Sequence, residues 1–155
     1  MVRWLDEDER TTWLAYIRLR QRLDAAIDAG LAGDGVSMPD YEVLVTLSQA
    51  PQGCLRARDL GAEICWDKSR LSKHLARMAA RGLVERTPAA DDARGVLVRL
   101  TEEGRAVLER AAPNHVDLVR RLFIDDMSDE EIKALRSLAN RVAGVAEETA
   151  DVNPC

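Results

Sequence analysis

The sequence is poor in the residues that bind metal ions and form disulfides. Its 155 residues include only three cysteines, Cys54, Cys65 and Cys155, and two histidines, His74 and His115. The cysteines lie 11 and 90 residues apart and their number is odd, a spacing that matches neither a zinc site nor a disulfide framework. We therefore expect no structural metal, no disulfide and no cofactor.

Long hydrophobic runs and catalytic motifs are also missing. The first ten residues contain acids where a secretory signal needs an apolar run, and no later stretch approaches the roughly 20 apolar residues of a membrane span. The chain has no glycine-rich phosphate loop and no nucleophile motif. These absences predict a cytoplasmic protein without a membrane partner, and one that is not an enzyme.

The overall charge argues against nucleic acid as a partner, but the charge is unevenly distributed. Acidic residues number 27 against 22 basic ones, for a net charge of −5. The segment from Arg56 to Arg99 holds ten basic and six acidic residues, a net of +4, so the remainder carries −9. Excess Lys and Arg is the usual sign of phosphate binding. The segment is therefore the candidate for a nucleic-acid contact.

Four helices are expected in the first half of a single domain. Apolar residues recur at helical spacing, and capping residues, Gly and Pro indicate the ends. The expected helices run from Asp6 to about Ala29, from Met38 to about Gln49, from about Ala57 to Ile64, and from Lys68 to about Arg81. Gly30 ends the first, Ser37 and Asp67 cap the second and fourth, and the tight turn before Lys68 predicts a helix-turn-helix.

The second half predicts a β-hairpin followed by two helices. Residues 83–86 and 96–100 are β-rich, and a polar loop of nine residues, 87–95, separates them. Thr101 caps a helix that Pro113 is expected to kink or split, and Ser128 begins a capping box for the last helix. The fold class is thus mainly α, a winged helix-turn-helix over 37–100 with a two-stranded β-wing. The apolar stripes of 6–30 and 102–148 are too extensive for a monomer to bury and predict a dimerisation base.

The helix from Lys68 has two chemically different faces when it is projected at about 100° per residue. Leu71, Leu75 and Met78 form an apolar stripe. The opposite side carries Ser69, Arg70, Ser72, Lys73, Ala76 and Arg77. Such cations and hydroxyls bind phosphates and base edges. A solvated helix face would have the same composition, but the order of helix, turn, helix and basic hairpin favours DNA binding.

Three segments carry a resemblance to a known family. Residues 66–75 (WDKSRLSKHL), 82–86 (GLVER) and 92–104 (DARGVLVRLTEEG) resemble the MarR family of transcriptional regulators. The specific part is Asp-x-Arg followed by an apolar strand and Leu-Thr-x-x-Gly. The resemblance implies a homodimer of triangular, helix-rich protomers. It also implies a palindromic operator and a repressor that small ligands or oxidants release.

The resemblance also implies roles for individual residues. Arg94 corresponds to the wing-tip arginine that enters the minor groove, and Asp92 holds its guanidinium. Ser69, Arg70, Ser72 and Lys73 correspond to positions that face bases, whereas Lys68 and Arg77 favour phosphates. Arg56 departs from the family, which often has Ser or Thr as the cap of the third helix.

Other residues leave alternatives open. Trp13, Tyr16 and Arg20 would suit an aromatic or phenolic effector, or Trp13 and Tyr16 pack the dimer interface. Cys54 and Cys65 leave open a thiol-based redox regulator, and the scaffold alone leaves open a protein-interaction module. The two histidines are expected to serve packing or phosphate contact at His74 and to lie on the helix surface at His115.

Overall fold

The computed structural model describes residues 1–90 and 92–152, and the side-chain surroundings of 1–90 and 95–144. It divides into two compact units, Met1–Leu118 and the part from Val119 onward. The helices and strands are α1 (Glu7–Ala32), α2 (Met38–Gln49), β1 (Cys54–Arg56), α3 (Ala57–Glu63), α4 (Lys68–Ala80), β2 (Val84–Ala89), β3 (Asp92–Leu100), α5 (Glu102–Val119) and α6 (Asp129–Val152). Within those ranges no helix has the length and hydropathy needed to cross a bilayer. The mainly helical fold with a β-wing is confirmed.

Helix α1 continues past its predicted end. Its start is a capping box, in which Glu9 N–H donates to the side chain of Asp6 and Asp6 N–H donates to the side chain of Glu9. The prediction that Gly30 ends the helix is wrong. Gly30 instead permits close packing, since a Cβ there would lie 2.7 Å from Cδ2 of Leu118. Continuing the helix also buries Leu31, which is 1% exposed.

Helix α2 lies at the centre of the first unit, as predicted. Ser37 and Asp40 form its capping box, with each backbone N–H donating to the other side chain. Val43, Leu44 and Leu47 are completely buried. They pack within a core to which the other helices and the sheet contribute Leu31, Leu60, Leu75, Met78, Val98 and Ala111. Each fully buried side chain of this size stabilises the fold by about 1.5–3 kcal/mol.

The helix-turn-helix is formed by α3 and α4. Cys65 lies in the turn between them with a φ of +55°, and Trp66 follows it into the core. Asp67 then caps α4 by accepting a 2.9 Å hydrogen bond from Arg70 N. At the far end Gly82 adopts a φ of +74°, so the predicted left-handed glycine and N-cap are both confirmed.

The sheet differs from the prediction in two respects. Its order is β1-β3-β2, all antiparallel, and β1 is a third strand that was not predicted. The hairpin is also longer than expected, because β2 continues to Ala89 and β3 begins at Asp92, so the nine-residue loop is wrong. Pro88 is accommodated because β2 is an edge strand, where a missing N–H costs no ladder bond. The register slips between Pro88 and Ala89.

Helix α5 corrects two expectations. It runs as one helix through Pro113 to Val119, so the predicted split at Pro113 does not occur. A π-helical turn, Arg120–Ile124, follows it. Pro113 and Glu109 are both exposed, so water can replace the donor that the Glu109 carbonyl loses. His115 is not a surface residue: it is half-buried, with its ring centroid 4.3 Å from that of Tyr41. It lies four residues after the buried Ala111 and therefore shares its face.

Candidate nucleic-acid interface

Helix α4 has one buried and one exposed face, as the projection predicts. Leu71, Leu75 and Met78 are at most 3% exposed and point into the core. The structure brings six of the eight predicted site residues together on the exposed side: Lys68, Ser69, Arg70, Ser72, Lys73 and Arg77. Neither Lys68 nor Lys73 forms an ion pair within residues 1–90 and 95–144. Their ammonium groups are therefore available to an external anion.

Trp66 holds Arg70, a contact that the sequence did not reveal. The guanidinium carbon of Arg70 lies 4.0 Å from the centroid of the indole, in cation–π geometry. Trp66 is only 9% exposed, so its ring is a fixed platform. The available signal was an aromatic residue four positions before Arg70, just ahead of the cap of α4. The stacking limits the directions that Arg70 can take from the exposed face.

Arg77 is held by a buried histidine. Nη2 of Arg77 lies 3.0 Å from Nδ1 of His74, and Nε2 of the same ring lies 3.0 Å from Oδ1 of Asp40. Trp66 meets the ring edge-on at 5.2 Å between centroids. Burial lowers the pKa of His74 below its ordinary value and outweighs the opposing charge of Asp40. The imidazole is therefore neutral at pH 7, and the expectation of a packing residue holds.

Asp40 also anchors the C-terminal end of α4. Its Oδ2 accepts a 2.7 Å hydrogen bond from Nη1 of Arg81, whose Nη2 donates to the carbonyl of Gly35 at 2.9 Å. Burial alone would raise the pKa of Asp40, but the hydrogen bonds from Arg81 and Ser37 and the charge of Arg81 keep it below its ordinary value. Asp40 thus joins the start of α2 to the middle and the end of α4.

The wing and α4 flank a cleft of about 680 Å³. Four cations line it, Arg56, Arg58, Lys68 and Arg86, together with Trp66, Leu75 and Val96. Arg56 is the N-terminal cap position of α3, but it makes no side-chain capping hydrogen bond. The cleft therefore combines positive charge with apolar walls. It lies beside Lys68, the first residue of α4, on the same unit as the exposed face of that helix.

The two predicted wing residues can be placed only by their backbone. Asp92 and Arg94 lie in β3, and Asp92 pairs with Ala89 across the hairpin. Their side chains, and with them the predicted Asp92 to Arg94 pair, lie outside the described residues. Asp91 and Cys155 lie outside them as well.

The candidate sensing groups occupy separate places. On α1 the rings of Trp13 and Tyr16 are 5.5 Å apart, and the guanidinium of Arg20 lies 5.9 Å from the Tyr16 centroid. Both rings are about half exposed. Cys54 and Cys65 are free thiols, the first half-buried and the second exposed. In the described ranges no three His, Cys, Asp or Glu side chains gather as a metal site would require.

Known proteins share both the sequence pattern and the fold. The MarR family model matches residues 34–95. The HTH-type transcriptional regulator PecS of Dickeya dadantii (strain 3937) is 30% identical over 127 residues, which cover 81% of this chain and 75% of the relative. The HTH-type transcriptional repressor YetL of Bacillus subtilis (strain 168) is 25% identical over 142 residues, which cover 90% of this chain and 85% of the relative. Sco3205, a MarR family transcriptional regulator from Streptomyces coelicolor solved in complex with DNA, is 36% identical with a TM-score of 0.88, covering 92% of this chain and 90% of that one.

Proposed function

Since the chain belongs to the MarR family of DNA-binding transcriptional regulators, we propose that it is a homodimeric repressor that binds a palindromic operator and is released by a small effector. Members of this family are regulators and not enzymes. The repressor assignment is supported by the similarity to YetL, whose name describes a repressor. We place the protein in the cytoplasm, where a regulator meets the chromosome.

The exposed face of α4 is the observation that carries the proposal. A helix that buries Leu71, Leu75 and Met78 and presents three exposed cations and two hydroxyls on the other side can enter a major groove. We assign base contacts to Ser69, Arg70, Ser72 and Lys73, and phosphate contacts to Lys68 and Arg77. By the family resemblance, Arg94 enters the minor groove and Asp92 orients it.

Exposed apolar side chains support the homodimer. Leu135, Leu138 and Val142 on α6 are 41%, 48% and 61% exposed, although their spacing forms one helical stripe. On α1, Trp13 and Leu19 are 54% and 49% exposed. A second copy of the chain would cover these stripes, and a stable dimer needs about 1,200 Å² or more of buried surface. We therefore propose 6–30 and 102–148 as the dimerisation base and 37–100 as the DNA-binding lobe.

An aromatic or phenolic acid suits the chemistry of two places on the chain. The cluster of Trp13, Tyr16 and Arg20 offers two rings and a cation, and the cleft beside α4 offers Trp66 among arginines. In the dimer, the two α4 helices must be separated by the distance between the operator half-sites. An effector that binds best to dimers with a different separation shifts the population of dimers away from the DNA-binding form. Oxidation of the exposed Cys65 is the alternative signal, since it lies directly before the recognition helix.

Selection of bound duplexes from a random pool tests this function. We expect enrichment of a palindrome whose half-sites are about one helical turn apart. On the enriched duplex, Arg70→Ala, Lys73→Ala and Arg94→Ala should each weaken binding by about tenfold, because each removes a base or groove contact of about 1–3 kcal/mol. Fluorescence anisotropy at several salt concentrations measures the affinities.

Matched variants outside the proposed face serve as controls. Arg110→Ala on α5 and Lys133→Ala on α6 remove the same charges from exposed positions and should change the affinity by less than about twofold. A pool without palindromic enrichment would contradict the proposal. Unchanged DNA binding in Arg70→Ala and Arg94→Ala would favour a protein-interaction module instead.

A further inference from the structure

We propose that His74 is a positioning residue for DNA binding: held by Asp40, it orients the guanidinium of Arg77 toward a DNA phosphate. The inference rests on the proposed function, because it takes Arg77 as a phosphate contact. His74 is buried and is not one of the proposed DNA contacts. It would affect the affinity for DNA only by orienting Arg77, which is exposed.

The distances determine which ring nitrogen carries the proton. A guanidinium has only donors, so Nδ1 of His74, 3.0 Å from Nη2 of Arg77, must be the acceptor. The proton of the neutral ring is then on Nε2, which faces Oδ1 of Asp40 at 3.0 Å. Asp40 is held in turn by Arg81 and by the backbone N–H of Ser37. The ring thus accepts a hydrogen bond from Arg77 on one side, and on the other side it lies in close contact with a fixed carboxylate without an aligned hydrogen bond to it.

The charges around the ring support this arrangement. Asp40 faces the ring from α2, and Arg77 and Arg70 face it from α4. The ring of Trp66, which precedes α4, contacts it edge-on. A protonated ring would place an N–H against the Arg77 guanidinium and remove its acceptor. With the neutral ring, one nitrogen of Arg77 is bound while the exposed remainder of the fork can meet a phosphate. Such pre-orientation reduces the side-chain entropy lost on binding.

Two histidine variants separate the contact of the ring with Arg77 from its contact with Asp40. In His74→Asn the amide oxygen occupies roughly the place of Nδ1 and can still accept from Arg77. In His74→Gln the amide nitrogen occupies roughly the place of Nε2 and can still donate to Asp40, but the acceptor for Arg77 is lost. A random-sequence duplex of about 30 base pairs is the probe, because it reports phosphate contacts without an identified operator.

A double-mutant cycle on this duplex tests the inference. Arg77→Ala should weaken binding by about three- to tenfold and reduce the salt slope by about 1. His74→Gln should weaken it by about threefold in the presence of Arg77 and not at all in the Arg77→Ala background. His74→Asn should stay within about twofold of wild type. An equal loss from His74→Gln in both backgrounds would show a merely structural role and overturn the inference.

Different results would refute the role of His74 and the proposed function. If Arg70→Ala and Lys73→Ala weaken binding but Arg77→Ala does not, the proposed DNA face stands and the role of His74 is wrong. If none of the three weakens binding, the proposed function itself fails. Nitrogen-15 NMR of the wild-type imidazoles shows which ring nitrogen carries the proton. This measurement needs no variant, so it does not depend on the folding of one. We expect His74 to be protonated on Nε2 at neutral pH, and a proton on Nδ1 would refute the inference.

Discussion

At the scale of single residues, Asp40 connects parts of the chain that are far apart in sequence. Its carboxylate accepts from the backbone of Ser37 and from Arg81, and its Oδ1 lies 3.0 Å from Nε2 of His74. A buried carboxylate with these donors stabilises the fold only while every partner is in place, since an unpaired buried charge costs several kcal/mol. The orientation of α4 therefore depends on a buried residue of α2.

The two histidines make stability depend on pH. Burial lowers the pKa of both His74 and His115 below 6.5, the ordinary value. Between the lowered value and 6.5 the unfolded chain binds more protons than the native one, so stability falls as the pH falls through this window. We expect the Tm to drop by a few degrees from about pH 7.5 to about pH 5.5. Differential scanning calorimetry measures this change.

The chain has no other histidine, so the control is simple. A variant with both His74→Gln and His115→Gln should show a clearly flatter dependence of Tm on pH in the same range. The lowered pKa of Asp40 acts in a separate window, below 3.8, where stability is lost as its carboxylate is protonated. An equally steep dependence in the double variant would contradict the histidine explanation.

The exposed face of α4 could be predicted from sequence, but the contacts that hold α4 in place could not. Helical periodicity alone separates Leu71 and Leu75 from Arg70 and Lys73, because the phase of a helix is a local property. The contact of His74 with Asp40 joins residues 34 positions apart, and no local pattern encodes such a pair. The same applies to Arg81, 41 residues from Asp40.

At the scale of elements, the best-predicted features are those with local chemical signals. The caps at Ser37, Asp67 and Ser128 and the glycine after α4 all lie where predicted. Strand β1 was missed because three residues carry too little alternation to be recognised, and it forms only by pairing with β3. The hairpin length was underestimated because Pro88 was taken as a loop residue, whereas an edge strand tolerates it.

The junction between the wing and α5 is a sensitive point. A Cβ on Gly104 would collide with the carbonyl oxygen of Leu83 and lie 2.9 Å from Cδ1 of Leu100. We expect Gly104→Ala to lower the free energy of unfolding by about 1–3 kcal/mol, because backbone must move to make room. Urea denaturation followed by circular dichroism measures the loss.

Gly144 offers a matched control in another helix. A Cβ there meets nothing within 4 Å, so Gly144→Ala should be neutral or stabilise the protein by up to about 1 kcal/mol. If Gly104→Ala were as harmless as Gly144→Ala, the packing of α5 beneath the wing would be looser than the structure indicates.

At the scale of the whole molecule, charge is segregated along the chain. The segment from Arg56 to Arg99 carries +4 and the remainder −9. The net charge of −5 favours solubility and weakens non-specific attachment to DNA, while the basic segment contains the exposed face of α4. An overall count of charges therefore hides the positive charge of this segment, which appears once the segment is counted alone.

The apolar stripe of α6 leads to a prediction about assembly. Leu135→Glu combined with Leu138→Glu should convert a dimer into a monomer, since two charges would have to be buried in the proposed interface. Sedimentation equilibrium measures the mass, and DNA affinity should fall by at least tenfold as the second recognition helix is lost.

Charges added on the other side of α6 provide the comparison. Ser137→Glu combined with Asn140→Glu adds the same charge opposite the stripe and should leave the dimer intact. A monomeric wild-type protein, or a dimer that survives Leu135→Glu with Leu138→Glu, would refute the proposed base.

The exposed edge of the wing also bears on aggregation. A free edge strand can pair with a strand of another molecule, and such pairing nucleates aggregates. Strand β2 opposes this along its length: Pro88 offers no N–H, the register slips beside it, and Glu85 and Arg86 are exposed. The edge strand of the wing is thus a poor template for self-association, so an uncovered wing need not lead to aggregation.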